Sequence, residues 1–380
     1  METDILKPGI LTDKQITDLI NTGKIKSTSS INHKSQIQPN TLDLTLSSHA
    51  YKLRSSFTPT RKEKIEDILS KYAAYEFNLS SKSGGVLEKG ITYLIPLREC
   101  TELPDNVWAH ANPKSSIGRV DVLVRLISEG NPFFDELPLG YNGKLYLEVT
   151  PLSFPLRLRE GDSLNQIRFI NGKPVLDIEQ LNNLYITRLS NGFSLLYDSK
   201  RNPVKVPSIN NGGLLLTSEL SSGTLVYKSK KNTTEIDIRR RDYDPEDFFE
   251  IIKIKDDEYI VNQDEFILIP GKEFISVPQQ DVCAEIIAIN LQIGSFRSHY
   301  AGFFDSGFGC ESNEESLLKG NQPTLEIKVF DVPFRIKDAQ SICNLRFYWN
   351  CGGVSVPYGN ERGSNYQEQK GAKLPKFFKT

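Results

Sequence analysis

The feature that most constrains this chain is an internal repeat with a fixed spacing. Six residues recur in the same order 178 positions further along the 380-residue sequence. The pairs are Leu147 and Leu325, Glu148 and Glu326, Pro155 and Pro333, Arg157 and Arg335, Arg168 and Arg346, and Phe169 and Phe347. Because the register is unbroken across these positions, the sequence predicts two copies of one domain. The alternative is chance similarity between two β domains that use the same turn residues.

Alternation of apolar and polar residues over short stretches, bounded by Gly, Pro, Asn or Asp, runs through most of the chain and is typical of strands. Helical patterns are few and short. They cover residues 12–21, 62–72 and 245–252. We therefore predict a mainly β chain of two tandem domains, residues 1–198 and 214–380. The polar segment 199–213, rich in Pro, Gly and Asn, is predicted to be their connector.

The composition argues against several classes of protein. Lys and Arg total 46 against 48 for Asp and Glu, so no net positive field favours nucleic acid or an anionic membrane as a partner. No apolar run approaches the length of a membrane span, and the N-terminus lacks an apolar signal core, so we expect a cytoplasmic protein. The five cysteines are far apart and show no CxxC spacing, which indicates neither a disulfide framework nor a cysteine zinc site.

Five ordered segments carry a resemblance to a known family. They are IQPNTLDLTL (37–46), PKSSIGRVDVLV (113–124), GYNGKLYLEVTPLSFPLRLREGDSLNQIRF (140–169), HYAGFFDSGFG (299–309) and the tail PYGNERGSNYQEQKGA (357–372). Together they resemble the dCTP deaminase branch of the dUTPase-like superfamily. The resemblance implies distorted β-barrels (the β-clip fold) and a homo-oligomer, a trimer in that family, with active sites between its parts. It also implies a magnesium-bound triphosphate and hydrolysis of dCTP to dUTP and ammonia without zinc.

The sequence itself agrees with a reaction that needs no zinc, because it lacks the H-x-E and P-C-x-x-C pattern by which zinc deaminases hold their water. A triphosphate needs compact donors and positive charge, and one short segment offers both. Its candidate phosphate-binding residues are Lys114, Ser115, Ser116 and Arg119. Without the family resemblance, the same residues are more typical of a solvated surface turn.

The resemblance assigns nucleoside binding to a tight hairpin and a lid in the second copy. The hairpin residues are Ala301, Gly302, Phe303, Phe304 and Asp305, and the lid residues are Tyr358, Asn365, Tyr366 and Gln369. Asn365 stands where the family typically has Lys, which puts one phosphate contact in doubt. An ordinary hairpin whose phenylalanines fill the core is the alternative.

The proton-transferring base is predicted to be a strand glutamate, because hydrolytic deamination needs a carboxylate of raised pKa beside the attacking water. Each copy has one on the polar face of a strand, Glu148 and Glu326, although such a glutamate is usually only solvated. The phosphate motif stands in the first copy and the hairpin in the second, so we expect one composite site with Glu326 as base. Extra residues before Glu326 leave Glu148 as the runner-up, and Arg297 and His299 are possible supporting groups.

Other functions remain open on the sequence alone. A dUTPase-like pyrophosphatase would use Asp305 or Asp135 to orient water toward the α-phosphorus, and a bifunctional enzyme would do both reactions. A nucleotide-binding protein without turnover and a purely structural β protein are further alternatives, because β-barrels host many unrelated tasks.

Overall fold

The computed structural model describes residues 7–289, 296–297, 302–310, 319–359, 366 and 369–379, and the predicted mainly β fold with few short helices is confirmed. Up to residue 172 the elements are β1 (Gly9–Ile10), α1 (Asp13–Asn21), β2 (Ile25–Ser27), β3 (Leu42–Leu44), β4 (His49–Leu53), α2 (Ile65–Tyr72), β5 (Ala73–Asn78), β6 (Gly85–Leu87), β7 (Tyr93–Glu102), β8 (Val107–Pro113), α3 (Ser115–Gly118), β9 (Val122–Ser128), β10 (Glu136–Leu137), β11 (Asn142–Pro151), β12 (Leu156–Leu158) and β13 (Asn165–Asn171). After it come α4 (Ile178–Ser190), β14 (Leu196–Tyr197), β15 (Ile209–Asn210), β16 (Gly213–Thr217), β17 (Leu225–Ser229), β18 (Ile236–Asp237), α5 (Pro245–Phe248), β19 (Phe249–Lys253), β20 (Glu258–Val261), β21 (Phe266–Pro270), β22 (Phe274–Ile275), β23 (Val282–Ala288), β24 (Phe296–Arg297), β25 (Phe303–Phe304), β26 (Thr324–Val329), β27 (Phe334–Lys337) and β28 (Ser341–Trp349).

The chain divides into two compact units, each made of three segments that are not consecutive in the sequence. The N unit consists of Leu11–Gly172, Lys231–Asp244 and Pro375–Thr380, and the C unit consists of Met1–Ile10, Lys173–Lys230 and Pro245–Leu374. The division after Gly172 differs from the predicted boundary at residue 198, because Leu181 and Tyr185 of α4 are buried in the core of the C unit. The predicted connector, 199–213, also lies in the C unit, where Val204 packs against the same core.

The N unit is built on antiparallel sheets. In one, β13 lies between β3 and β8, and β8 also pairs with β10. The other has the order β5-β4-β7-β11-β9, with β2 added along β7. In β8 the residues alternate between buried and half-buried, as a strand with one face on the core requires. Helix α2 covers part of the second sheet, and its Ile65 and Ile68 join a small buried cluster there.

A strap from the middle of the chain completes the N unit. Strand β18 pairs in parallel with β12, which in turn pairs with β6. Two arginines of the β12 segment hold the strap through forked ion pairs. Arg157 donates to Glu235 at 2.7 and 2.9 Å, and Arg159 donates to Asp237 at 2.8 and 2.7 Å. Such bidentate pairs fix orientation as well as distance, so the strap is held in one register.

The C unit repeats the two-sheet arrangement. One sheet has the order β15-β16-β28-β23-β25 and the other β19-β17-β21-β26-β24. Apolar side chains of both sheets meet in one buried cluster, which includes Leu214 and Leu345 from the first sheet and Ile267 and Leu325 from the second. The two sheets therefore pack face to face and enclose a single core.

The strand registers confirm the predicted internal repeat. Glu148 on β11 lies opposite Leu94 on β7, and Glu326 on β26 lies opposite Leu268 on β21. The two glutamates, which are 178 positions apart in the sequence, thus hold the same place in equivalent strand pairs. A one-residue slip in either copy would have turned its glutamate to the opposite face of the sheet.

Three of the helices match the predicted patterns in part. Helix α1 begins behind Thr12 as expected, and α2 begins at Ile65, three residues later than predicted. The third prediction is partly wrong, because α5 ends at Phe248 and the chain continues directly into strand β19. Helix α4 was not predicted, although Asp177 and Gln180 form the capping box that marks its start.

No helix among the described residues combines the length and the apolar character that crossing a membrane requires.

Candidate active site

The phosphate motif of the N unit forms a tight turn after β8. The backbone N–H of Lys114 donates to the carbonyl of Leu164 at 2.9 Å, which attaches the start of the motif to the strand beside it. The single-turn helix α3 follows. Ser116 within it and Arg119 directly after it are buried, while Lys114 and Ser115 are half-buried. The four predicted residues are therefore close together on one rigid turn and are not a solvated surface loop.

Asp43 orients the lysine of this motif. Asp43 lies on β3, its carboxylate is 7% exposed, and it forms an ion pair with the Nζ atom of Lys114. The backbone N–H of Asp43 donates to the carbonyl of Gln36 at 2.8 Å, and the side-chain amide of Gln36 returns a hydrogen bond of 3.1 Å to the carbonyl of Asp43. The lysine is thus held over the sheet by a carboxylate that is itself fixed by the backbone.

Glu148 is buried on β11 and is not solvated as strand glutamates usually are. Its Oε1 atom accepts hydrogen bonds from Nε of Arg125, at 3.0 Å, and from Nη2 of the same side chain. The guanidinium of Arg125 also lies 3.8 Å from the ring centroid of Phe134 and donates to Ser56 Oγ at 2.9 Å. The Oε2 atom of Glu148 is buried and has no hydrogen-bond partner within the described part of the chain. One oxygen is therefore held by an arginine and the other is open to a further donor.

Asp135 lies in the loop between β9 and β10, where the first copy carries extra residues. Its Oδ1 atom accepts the backbone N–H of Leu126 at 2.7 Å, and its φ angle is +63°. Burial raises the pKa of this carboxyl group from 3.8 to about 6, although the N–H of Leu126 and the charges of His110 and Arg125 oppose the shift. Asp135 can therefore exchange a proton near neutral pH, which is a property of general acids and bases.

The nucleoside hairpin of the C unit is a short turn attached to β23. Strand β25 places Phe303 opposite Glu285 and Phe304 opposite Ala284, and the backbone N–H of Ile286 donates to the carbonyl of Gly302 at 2.8 Å. Phe303 and Phe304 are half-buried, whereas Asp305 is buried at the turn. Ala301, the first predicted residue of this hairpin, lies outside the described residues.

The tail packs directly on this hairpin. The backbone N–H of Tyr358 donates to the carbonyl of Ser306 at 2.8 Å, and the ring of Tyr358 lies 5.4 Å from that of Phe308. Phe308 in turn meets Phe304 edge to face at 4.7 Å. Gly307 has φ +98°, and a Cβ atom there would come within 2.9 Å of the Tyr358 nitrogen, so the close approach of the tail requires glycine.

Gln369 joins the tail to the strand that carries Glu326. Its Nε2 atom donates to the Thr324 hydroxyl at 2.7 Å and to the carbonyl of Gln322 at 2.9 Å. Glu326 is buried two residues further along β26. The carbonyl of Tyr366, another predicted lid residue, accepts a hydrogen bond of 3.1 Å from Asn321. The hairpin, the lid and the strand of Glu326 therefore come together within the C unit.

The remaining predicted residues are placed as follows. Arg297 lies opposite Lys328 in the ladder between β24 and β26, and its guanidinium is 5.4 Å from the ring centroid of Phe330. His299 and Asn365 lie outside the described residues. Sequence reasoning did not single out Arg125, and no local motif surrounds it. Within the part of the chain that the structure describes, no group of three or more His, Cys, Asp or Glu side chains could hold a metal ion.

Comparisons with known proteins agree with this geometry in both units. Residues 7–173 match the family described as 2'-deoxycytidine 5'-triphosphate deaminase (DCD) N-terminal domain, and residues 188–378 match the corresponding C-terminal domain. The dCTP deaminase of Ignicoccus hospitalis is 27% identical over 144 residues, which are 38% of this chain and 74% of that protein. A protein of Dictyoglomus turgidum named dCTP deaminase, dUMP-forming, is 28% identical over 137 residues, 35% of this chain and 64% of the relative.

A solved structure matches nearly the whole chain. It is the crystal structure of 2'-deoxycytidine 5'-triphosphate deaminase from Agrobacterium tumefaciens, with 34% sequence identity and a TM-score of 0.81. The match covers 90% of this chain and 99% of the other, so the likeness includes both units and their order in the sequence. This chain therefore belongs to the dCTP deaminase family.

Proposed function

We propose that this enzyme hydrolyses dCTP to dUTP and ammonia, with Glu326 as the base that activates water. The observation that carries the proposal is that the lid contacts both the hairpin and strand β26 within the C unit. Tyr358 bonds to Ser306 of the hairpin, and Gln369 bonds to Thr324, two residues before the buried Glu326. The phosphate motif at Lys114 to Arg119 supplies the donors for the triphosphate. The active form in this proposal is a homo-oligomer, in which the phosphate motif and the Glu326 carboxylate act on one substrate.

Each step of the proposed reaction moves one proton. The carboxylate of Glu326 takes a proton from water as the oxygen bonds to C4 of the cytosine ring, and it passes that proton to N3. It then takes the proton of the new hydroxyl group and gives it to the amino nitrogen, so that the C4–N bond breaks and ammonia leaves. The ring is left as uracil, and the overall change is dCTP plus water to dUTP plus ammonia.

Mg²⁺ enters this proposal only with the nucleotide. The phosphate motif offers Lys, Ser and Arg side chains, which donate hydrogen bonds to phosphate oxygens and are not the carboxylate ligands that bind magnesium. We therefore assign the ion to the triphosphate oxygens, whose charge it partly neutralises. No zinc is proposed, because the proton transfers are given to a carboxylate.

A bifunctional enzyme is the second candidate. The relative from Dictyoglomus turgidum carries the name dUMP-forming, and this chain has two aspartates that could orient a second water. Asp305 is buried in the hairpin turn, and Asp135 has a pKa raised to about 6 by burial. Either carboxyl group could direct water to the α-phosphorus of dUTP, which would release pyrophosphate and leave dUMP.

Product analysis separates the two candidates. The purified chain is incubated with dCTP and Mg²⁺, and ammonia, dUTP, dUMP and pyrophosphate are measured together. Ammonia in equal amount to dUTP, without pyrophosphate, supports the deaminase alone. Pyrophosphate and dUMP in addition to ammonia support the bifunctional enzyme. Absence of ammonia under conditions in which the protein is folded would reject both forms of the proposal.

A further inference from the structure

Two glutamines of the C unit, Gln322 and Gln369, bond to each other in both directions. The backbone N–H of Gln322 donates to the carbonyl of Gln369 at 3.2 Å, and the Nε2 atom of Gln369 donates to the carbonyl of Gln322 at 2.9 Å. Both residues are buried. Gln322 lies just before β26, four residues from Glu326, whereas Gln369 is a predicted lid residue. The lid is therefore tied to the start of the strand that carries Glu326.

The side-chain amide of Gln322 is bonded at both of its ends. Its Oε1 atom accepts the backbone N–H of Gly371 at 2.6 Å, and its Nε2 atom donates to the carbonyl of Gly271 at 2.8 Å. Gly271 directly follows β21, and its own N–H donates to the carbonyl of Pro323 at 2.8 Å. An amide group that is held in this way keeps one orientation, because turning it over would set like groups against each other. The Oε1 acceptor of Gln322 therefore stays directed at the lid.

The hydroxyl group of Thr324 holds the same part of the lid. It accepts hydrogen bonds from Nε2 of Gln369 at 2.7 Å and from the backbone N–H of Lys373 at 3.0 Å. Because Nε2 of Gln369 carries two hydrogens and also donates to the carbonyl of Gln322, both hydrogens have acceptors inside the protein. In this arrangement the NH₂ group of Gln369 fastens the lid and has no hydrogen left to donate to a nucleotide. Residues 369–373, the lid end, are thus attached to the chain just before Glu326.

We propose that Gln322 is a positioning residue of the deaminase, and that it fixes the lid end in the place from which the lid binds dCTP. The inference rests on the proposed function for its ligand. The lid is attached to the hairpin through Tyr358, so Gln322 provides a second attachment, next to the strand of Glu326. Because lid contacts to the nucleotide are the same before and during proton transfer, weakening them should raise KM and leave kcat nearly unchanged.

The test combines tryptic cleavage with steady-state kinetics of the full chain. Trypsin cleaves after Lys370 and Lys373 faster when the lid end is released, so cleavage reports the attachment without any catalysis. Gln322→Met removes both side-chain hydrogen bonds and keeps a side chain of similar length. We expect the cleavage rate and the KM for dCTP each to rise by about five- to tenfold, which is the effect of one hydrogen bond.

The matched control is Gln340→Met. Gln340 is a half-buried glutamine of the same unit, and its Oε1 atom accepts the backbone N–H of Lys337 at 2.9 Å in the turn before β28. This variant therefore also removes one amide acceptor of a backbone N–H, but from a turn and not from the lid. Its cleavage rate and its KM should equal those of the unaltered protein.

A second variant, Gln322→Glu, tests the bond to the lid alone. Its carboxyl group can still accept the N–H of Gly371, but in the ionised form it cannot donate to Gly271. Cleavage should therefore stay close to that of the unaltered protein. Cleavage as fast as in Gln322→Met would overturn the proposal, because the bond to the lid would then have no effect.

Three results with Gln322→Met would also overturn the proposal. They are an unchanged cleavage rate, faster cleavage with an unchanged KM, and a lower kcat with an unchanged KM, which indicates a purely structural role. Failure of the proposed function would appear separately. In that case the unaltered protein would yield no ammonia from dCTP, while Gln322→Met would still be cleaved faster than Gln340→Met.

Discussion

The N unit and the C unit contain the same hydrogen-bond motif, which is buried in the N unit and half-buried in the C unit. In the N unit, Glu99 accepts the backbone N–H of Thr45 at 2.8 Å and its hydroxyl at 2.7 Å. In the C unit, Glu273 accepts the backbone N–H and the hydroxyl of Thr217 at the same two distances. Burial raises the pKa of both carboxyl groups. The two copies thus share a side-chain contact, not only their turn residues.

The turn between β12 and β13 in the N unit also matches the turn between β27 and β28 in the C unit. The N–H of Gly161 donates to Leu46, and the N–H of Ala339, 178 positions later, donates to the equivalent Ser218, both at 2.9 Å. Both residues have positive φ angles, +81° and +60°. The copies differ instead in the groups that face substrate in the proposed function. The comparison teaches that duplication kept the scaffold contacts in both units, while the side chains of the site changed separately.

The largest expected effect concerns the two equivalent glutamates. Glu326→Gln should lower turnover of dCTP by about 10²–10⁴-fold, because the amide cannot take a proton from water, and dCTP binding should stay nearly unchanged. Glu148→Gln is the matched control at the same strand position. It should leave turnover nearly unchanged but lower the midpoint of thermal unfolding, since Arg125 loses its charged partner.

Steady-state rates and nucleotide binding of both variants test this division. If Glu148→Gln is inactive and Glu326→Gln is not, the catalytic carboxylate belongs to the N unit. The open Oε2 atom of Glu148 would then be the acceptor of the water proton.

A smaller effect is expected at the shared Thr–Glu motif. In the N unit the Nε2 atom of Gln36 also donates to Glu99, at 3.1 Å, and no counterpart reaches Glu273 among the described residues. Glu273→Gln can keep both of its hydrogen bonds if the Thr217 hydroxyl turns to accept one. Glu99→Gln would set two amide NH₂ groups against each other and should cost about 1–2 kcal/mol more in unfolding free energy.

Denaturant unfolding of both single variants measures this difference, and Gln36→Ala in the Glu99→Gln background serves as the control. The double variant should remove most of the difference between the two units. Equal losses in Glu99→Gln and Glu273→Gln would mean that Gln36 does not distinguish the two motifs.

The smallest expected effect is on the pH dependence of stability and concerns Asp135 of the N unit. Because its pKa is about 6 in the folded protein and 3.8 ordinarily, the folded state holds the proton more tightly between these values. This contribution to stability is present at low pH and is lost as the pH rises through about 6. Asp135→Asn keeps the acceptor for Leu126 and tolerates the positive φ. When the pH is raised from 4.5 to 8, the unfolding free energy of this variant should therefore increase by about 1 kcal/mol relative to that of the unaltered protein.

Thermal unfolding at the two pH values measures this gain, and product analysis of the same variant sharpens it. If Asp135→Asn changes stability alone, the loop has a structural role in the N unit. Loss of pyrophosphate release, should any be found in the unaltered enzyme, would instead give Asp135 the role of orienting water.

Part of the site could be predicted from local patterns. The phosphate motif is contiguous, so the family resemblance could be applied to it residue by residue, and the structure places these residues on one turn at Lys114 to Arg119. The burial of Glu148 could not be predicted, because alternation along β11 indicates a polar face but not what covers it. Arg125, which donates to Glu148, comes from another strand, and Phe134, which packs on Arg125, comes from a loop.

The sequence by itself determined the duplication and the mainly β fold, because these depend on spacing, alternation and turn residues that are readable along the chain. It indicated the family through the five segments that resemble it. Only the tertiary structure decided which segments complete which unit and which charges meet. The strap Lys231–Asp244 and the segment Pro375–Thr380 both belong to the N unit, although each follows residues of the C unit. The physical reason is that ion pairs and buried contacts depend on distance in space, and residues such as Arg157 and Glu235 carry no local pattern that records their proximity.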